Sequence, residues 1–319
     1  MNVNRDKPDN WKADIVKSVD FYNNWFIKFA PQTFQNNRKK TTKQVEQALQ
    51  WTENLTNIRA EVLQQHPSIL AILRMATCPP IARERLIGIA GVSANLVKNM
   101  EIDERIPPYM DEQEVLANLQ KIGVVIAKML DPDIFTWKER GEKGSKEEIH
   151  RASTIIADRV CGAIANSITR KAQEQRQLDA IKTWLEAKDY RELKTGEAEG
   201  FLSMPPGTFS FRCNTPIILD NGRNINFAVD AVVMRKKAKK GNFPVLFVVK
   251  SAGDFISTNK HRNEEVAKIQ QLRKTYGENM TLILFLCGYF DSSYLGYEAA
   301  EGIDWVWEHR IDDLEQLKF

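Results

Sequence analysis

Apolar residues recur along this chain with two different periods. From about residue 10 to 190 they fall three and four positions apart, the spacing that gives a helix one buried face. In TTKQVEQALQWTENLTNIRAEVLQQ (41–65) they stand at Val45, Leu49, Leu55, Ile58, Val62 and Leu63, which predicts a helix over that stretch. Shorter helices are predicted over PSILAILRMA, IARERLIGIAG and GVSANLVKNM, separated by proline and glycine. Asp111 with Glu114 forms a capping-box pattern ahead of VLANLQKIGVVIAKML. In NNWFIKFAPQTF, which follows an opening amphipathic segment, Pro31 is expected to break the first helix. KERGEKGSKEE (138–148) reads as a charged solvent loop, and 147–190 as one long helical pattern broken once or twice.

After MPPG (204–207) the period changes. TFSFRCNTPIIL and INFAVDAVVM read as strands joined at DNGR by a hairpin signal. RKKAKKGN (235–242) is a basic turn, and FPVLFVVK is apolar on both faces, which predicts a central strand. NKHRNEEVAKIQQLRKTYG (259–277) predicts a helix ending at Gly277, and MTLILFLCGYF (280–290) another buried strand. Three strands, a helix and a strand give a mixed sheet with a helix crossing one face. Trp305 and Trp307, in a strand-like run, are expected in the core.

Composition changes little in this picture. With 319 residues, 43% hydrophobic and 27% charged, the chain can bury a large core without staples. A net charge of +3 leaves any basic footprint local. The cysteines 78, 161, 213 and 287 are scattered without metal-ligand spacing, which argues against zinc and for a reducing, intracellular compartment. The polar N-terminus lacks the apolar stretch of a secretory signal, and no apolar run approaches the roughly 20 residues of a membrane span.

Two charged residues interrupt the apolar runs. Asp230 ends the apolar half of NINFAVD, and Lys250 ends the run of the next strand. An unpaired acid inside a strand is costly, and polar residues emerging from adjacent central strands can converge at the sheet's end. The chemistry that suits the pair is metal-assisted phosphodiester hydrolysis. The aspartate holds a divalent cation, a second acid completes the site, and the lysine serves the attacking water. Mg²⁺ fits, because it prefers oxygen ligands and keeps waters.

Asp230…Val248-Val249-Lys250 resembles the Asp…(Asp/Glu)-x-Lys core of the PD-(D/E)xK nuclease superfamily. VVKSAGDFISTNKHRNEEVAK resembles a block of type II restriction endonucleases. DKPDNWKADIVKSVDFYNNWFIKFAP and FLCGYFDSSYLGYEAAEGIDWVWEHRIDDL are similar to the XamI-type restriction endonuclease family. The resemblance implies an α/β (α+β) fold: a helical N-terminal half plus a mixed β-sheet core flanked by helices. It divides the chain into a helical region, 1–145, for the DNA cleft and dimerisation, and a catalytic core, 146–319. The chain departs from the superfamily at Val248, which cannot bind a metal. Either the site is silent, or the acid comes from the following helix, as in a subgroup of these enzymes. Glu264 has the spacing of that subgroup, with Glu265 the close alternative, and the Val249 carbonyl is the implied third protein ligand.

Around such a centre, Asn259, Lys260, His261 and Arg262 are candidates for phosphate contact or base reading; they also make an ordinary polar helix start. Lys236 and Lys237 belong to RKKAKK, five positive charges in six residues, either a solvated turn or a DNA-backbone contact. The expected activity is Mg²⁺-dependent cleavage of double-stranded DNA at a specific site, leaving 5′-phosphates. A homodimer and a companion DNA methyltransferase in a bacterial cytoplasm are implied. A repair or mobile-element endonuclease with the same core, and a catalytically silent DNA-binding protein, are the alternatives.

Overall fold

The structure is a computed structural model. It describes the chain apart from residues 1, 195, 196, 198, 199, 220, 240, 257, 259–261 and 278, and apart from the side chains of 262–265 and 268. In chain order the helices α1 (Pro8–Trp51), α2 (Ala60–Gln65), α3 (Leu70–Met75), α4 (Arg83–Ala90), α5 (Ala94–Ile102), α6 (Glu112–Met129), α7 (Thr136–Arg140) and α8 (Lys146–Glu186) come first. Then follow β1 (Arg191–Glu192), β2 (Thr208–Ile218), β3 (Asn224–Met234), β4 (Val245–Ala252), α9 (Arg262–Tyr276), β5 (Thr281–Gly288), α10 (Ser292–Ala300) and β6 (Asp304–Trp307). The chain falls into two units, residues 30–167 and residues 1–29 with 168–319. No helix among the described residues is long and apolar enough to cross a membrane.

The unit of residues 30–167 is helical, around a core that includes Leu63, Leu73, Met100, Ile122, Ile126 and Trp137. Burial of one such aliphatic side chain contributes roughly 1.5–3 kcal/mol. Asp111 caps α6 by accepting the Glu114 N–H at 3.0 Å, as its spacing predicts. Two expectations fail on α1 and its sequel. Pro31 lies inside α1 without ending it. The helix is held before it by buried Ser18 and Tyr22 and after it by buried Val45, Ala48 and Leu49, which outweigh the one missing N–H bond. The stretch 41–65 is not one helix. α1 ends at Trp51, and Glu53, Asn54 and Leu55 take φ of 50°, 58° and 68° before α2 begins. The Thr52 hydroxyl bonds back to the Ala48 carbonyl (2.8 Å) and accepts the Leu55 N–H (3.3 Å), while the Asn54 carbonyl is taken by the Trp137 indole (3.1 Å). Those bonds reward a turn that apolar spacing alone does not reveal. The breaks expected in 147–190 are absent through Glu186, since α8 contains no proline and one glycine.

In the other unit the six strands stand in sequence order across one mixed sheet. β2–β3 and β3–β4 are antiparallel; β1–β2, β4–β5 and β5–β6 are parallel. The hairpin predicted at DNGR joins β2 to β3, with Gly222 at φ 79°. One sheet face buries Val232, Leu246, Leu284 and Trp305 against Val266 and Leu272 of α9 and Leu295 of α10. The other buries Val233, Phe247 and Phe285 against Ile181 and Leu185 of α8 and Leu314 near the C-terminus. Covered on both faces, β4 and β5 read as unbroken apolar runs. Trp305 and Trp307 are fully buried, as expected. The N-terminus folds with this unit, the Asn4 and Arg5 N–H groups donating to Asp304 at 2.9 and 3.0 Å.

Candidate active site

β3 and β4 pair from Val233↔Val245 to Ala231↔Phe247 and then part. Continued by one step, the register sets Asp230 across from Val248. At this fork Oδ2 of Asp230 accepts the Val249 N–H at 2.8 Å. A carboxylate thus takes the place of the next ladder carbonyl. The N–H and C=O of one extended residue project to the same side, so the Val249 carbonyl also turns toward Asp230. Lys250 follows directly, on the strand face it shares with Val248. Its Nζ donates to the Tyr294 hydroxyl of α10 at 3.1 Å and stands 5.6 Å from that ring's centroid.

The surroundings set the charge of Asp230. Burial pushes its carboxyl up from 3.8 to about 6. The Val249 N–H opposes the rise, the negative Glu174 adds to it, and Arg212 and Lys250 pull downward. Arg212 lies in β2 between the pairs Phe211↔Ala231 and Cys213↔Val229, hence beside Asp230. It holds φ 52°, a left-handed conformation that costs an arginine about 1–3 kcal/mol. Its guanidinium reaches Glu174 of α8 at 3.2 Å. One turn along α8, Gln177 donates from Nε2 to the Lys250 carbonyl (3.2 Å) and the Phe285 carbonyl (3.0 Å). α8 therefore fixes the strand ends and delivers a carboxylate to the same neighbourhood.

The structure brings Asp230, Val249 and Lys250 together. Val248 packs on the apolar cluster under α9 and α10. Arg262, Glu264 and Glu265 are in the first turn of α9, which directly follows the β4 segment in sequence; their side chains lie outside the described residues. Asn259, Lys260 and His261 lie wholly outside them. Lys236 and Lys237 are exposed in the turn entering β4. Lys250 is five residues beyond Val245, roughly 16 Å along the strand, so that basic turn is at the opposite end of β4. Lys236 lies 5.4 Å from the Tyr190 ring centroid and 3.8 Å from Asp189. Among the described residues no group of three or more His, Cys, Asp or Glu gathers as a metal site.

Sequence reading missed Glu174, Arg212, Gln177 and Tyr294. Arg212 left a trace, a charge inside the apolar alternation of TFSFRCNTPIIL. Glu174 and Gln177 left none, because RKAQEQRQ is polar throughout.

Comparison with known proteins is direct. The sequence matches the family described as XamI restriction endonuclease over residues 53–307. It is 47% identical over 313 residues to the type II restriction enzyme SalI of Streptomyces albus G, covering 98% of each chain. No solved structure matches it.

Proposed function

We propose, from the premise that the chain belongs to the XamI restriction endonuclease family, that Asp230 and Lys250 form the hydrolytic centre of this type II restriction enzyme. The observation that carries the reading is the fork itself: a half-buried carboxylate bound to the Val249 N–H, with a lysine on the next residue.

The donor set is all oxygen, as Mg²⁺ requires. Burial and a negative neighbour hold the Asp230 carboxyl near 6, so its ionised form lacks compensation that a divalent cation would supply. Mg²⁺ bound there would polarise a phosphoryl oxygen and acidify a water. Asp230 and the Val249 carbonyl hold the ion on this reading, with Glu264 of α9 as the second acid and Glu265 as the alternative. Glu174 offers a second reading for that acid, favoured by its effect on Asp230. Lys250, oriented by the Tyr294 hydroxyl, positions the attacking water and offsets charge at the phosphorus. Hydrolysis in this sense leaves 5′-phosphates on duplex DNA. Arg262 with Asn259, Lys260 and His261 face the DNA in this reading, and the helical region shapes the cleft and a two-fold dimer suited to a palindromic site. A DNA methyltransferase protecting host sites in a bacterial cytoplasm completes it.

The test is digestion of unmethylated plasmid with and without Mg²⁺, using the wild type and the Lys250→Ala, Glu264→Ala, Glu265→Ala and Glu174→Ala variants. Discrete Mg²⁺-dependent bands, lost with Lys250→Ala and with one of the glutamate variants, are expected. Cutting that survives Lys250→Ala overturns the assignment. Smears or structure-specific nicks would speak for a repair enzyme.

A further inference from the structure

The β2–β3 ribbon rolls over at Arg212. Residues two apart on a strand ordinarily share a face. Yet Phe211 packs on the cluster beneath α8, with Phe247 and Phe285, while Cys213 packs on the cluster beneath α9 and α10. β3 reverses at the same step, with Ala231 in the first cluster and Val229 in the second. Arg212 and Asp230 are the crossover residues, set between the pairs Phe211↔Ala231 and Cys213↔Val229.

The left-handed backbone of Arg212, at φ 52°, makes this roll. Glycine adopts that conformation freely, whereas an arginine there is strained. Packing offsets little of the strain, because the side chain is 64% exposed. The guanidinium instead reaches α8, donating to the Glu174 carboxylate at 3.2 Å and to the Gln175 side-chain oxygen at 3.4 Å. An ion pair this exposed adds little to stability, so it does not offset the strain either. What the arginine does change is the charge at Asp230. Glu174 makes ionisation of that carboxyl harder and Arg212 makes it easier, and the pull of Arg212 exceeds that of Lys250.

We infer that Arg212 is the built-in counter-ion of Asp230 and Glu174 and sets the cation affinity of the centre, because a divalent cation binds at Asp230 against the charge of Arg212. The inference rests on the nuclease reading above, and it holds whether or not Glu174 is itself a ligand. The guanidinium and the cation draw on the same negative charge. A fixed positive group beside two carboxylates eases their mutual repulsion and by the same interaction weakens their hold on a cation. Arg212 is thus a positioning residue that acts through Asp230 and Glu174.

The experiment follows thermal unfolding of the full-length protein through a Mg²⁺ titration without DNA, at constant ionic strength. A cation that binds the native state raises the Tm, and the rise yields its Kd. Arg212→Gln removes the charge, and Arg212→Gly removes the charge and the strain together. Both should bind Mg²⁺ several-fold more tightly than the wild type. Arg212→Lys keeps the charge and should stay near the wild-type Kd. Arg223→Gln loses a charge at the turn of the same hairpin and should leave the Kd unchanged. A Kd in Arg212→Gln and Arg212→Gly equal to or weaker than wild type overturns the counter-ion role. So does equal tightening in Arg223→Gln, which would make the effect one of net charge. Asp230→Asn separates this inference from the reading beneath it, since it should lose the Mg²⁺ response. An undiminished response would place the cation elsewhere and overturn the nuclease centre at Asp230, and this inference with it.

Discussion

Replacing Asp230 by asparagine should stabilise this protein while ending its cutting. The carboxyl titrates at about 6 in the folded chain against 3.8 ordinarily, chiefly because it is buried. Below pH 3.8 both states carry the proton and the residue is neutral in its effect. Between 3.8 and about 6 the folded state holds a proton that the unfolded state has released, so stability falls as pH rises. Above 6 the cost is complete. At roughly 1.4 kcal/mol per pH unit the interval corresponds to about 3 kcal/mol. Asparagine keeps an oxygen to accept the Val249 N–H and never ionises. Asp230→Asn should therefore match the wild type near pH 3.5 and exceed it at pH 8 by up to about 3 kcal/mol. For a unit of 150–250 residues that is a Tm increase of several degrees, at roughly 2–4 °C per kcal/mol.

Thermal melts of both proteins from pH 4 to 8, in EDTA and then in millimolar Mg²⁺, provide the assay. Cation binding to the native state should raise the wild-type Tm and leave the variant where it was, closing the gap between them. A wild-type Tm that does not fall relative to Asp230→Asn between pH 4 and 7 refutes the reasoning. So does an equal response of both proteins to Mg²⁺, which would place the cation elsewhere.

Three further outcomes are expected. Lys250→Ala should reduce the cleavage rate at least 10²–10³-fold, the usual loss for a group stabilising transition-state charge, while duplex binding in Ca²⁺ persists in a gel-shift assay. Gln177→Leu removes the side-chain bonds to the Lys250 and Phe285 carbonyls and should cost about 0.5–1.5 kcal/mol in urea unfolding, with the cleavage rate falling more than DNA affinity. Arg176→Met removes the partner of Glu308, bonded at 2.8 Å and 3% exposed, and should cost about 3–5 kcal/mol. Burial pushes the Glu308 carboxyl up, and a protonated Glu308 needs no partner, so the Tm deficit of Arg176→Met should be larger at pH 8 than at pH 5.

What was legible in the sequence follows from where the signal is local. β4 and β5 are buried on both faces, so their apolar runs announce them, and Asp230 and Lys250 stand out as charges those runs would not otherwise tolerate. The hairpin at DNGR and the end of α9 at Gly277 are chemical signals of backbone conformation, and the structure carries both. Glu174 is different. Its place beside Asp230 depends on the packing of α8 against the sheet, 56 residues away in sequence, and one glutamate in a polar helix face looks like any other. The turn after Trp51 was hidden for the same reason, since part of its support is an indole at position 137. Arg212 is intermediate: its charge was visible, its left-handed backbone was not.

The apolar residue at 248 has a physical logic in this geometry. It lies one step past the last β3–β4 pair, Ala231↔Phe247, next to Asp230, and like charges placed side by side there would repel. Asp230 is already destabilised by burial and by Glu174, and a carboxylate at 248 would add a second anion beside it. Valine instead joins the apolar cluster beneath α9 and α10 and anchors the strand that presents Lys250. On the proposed reading, a second acid carried on a helix rather than at 248 would lower the repulsion between the two carboxylates.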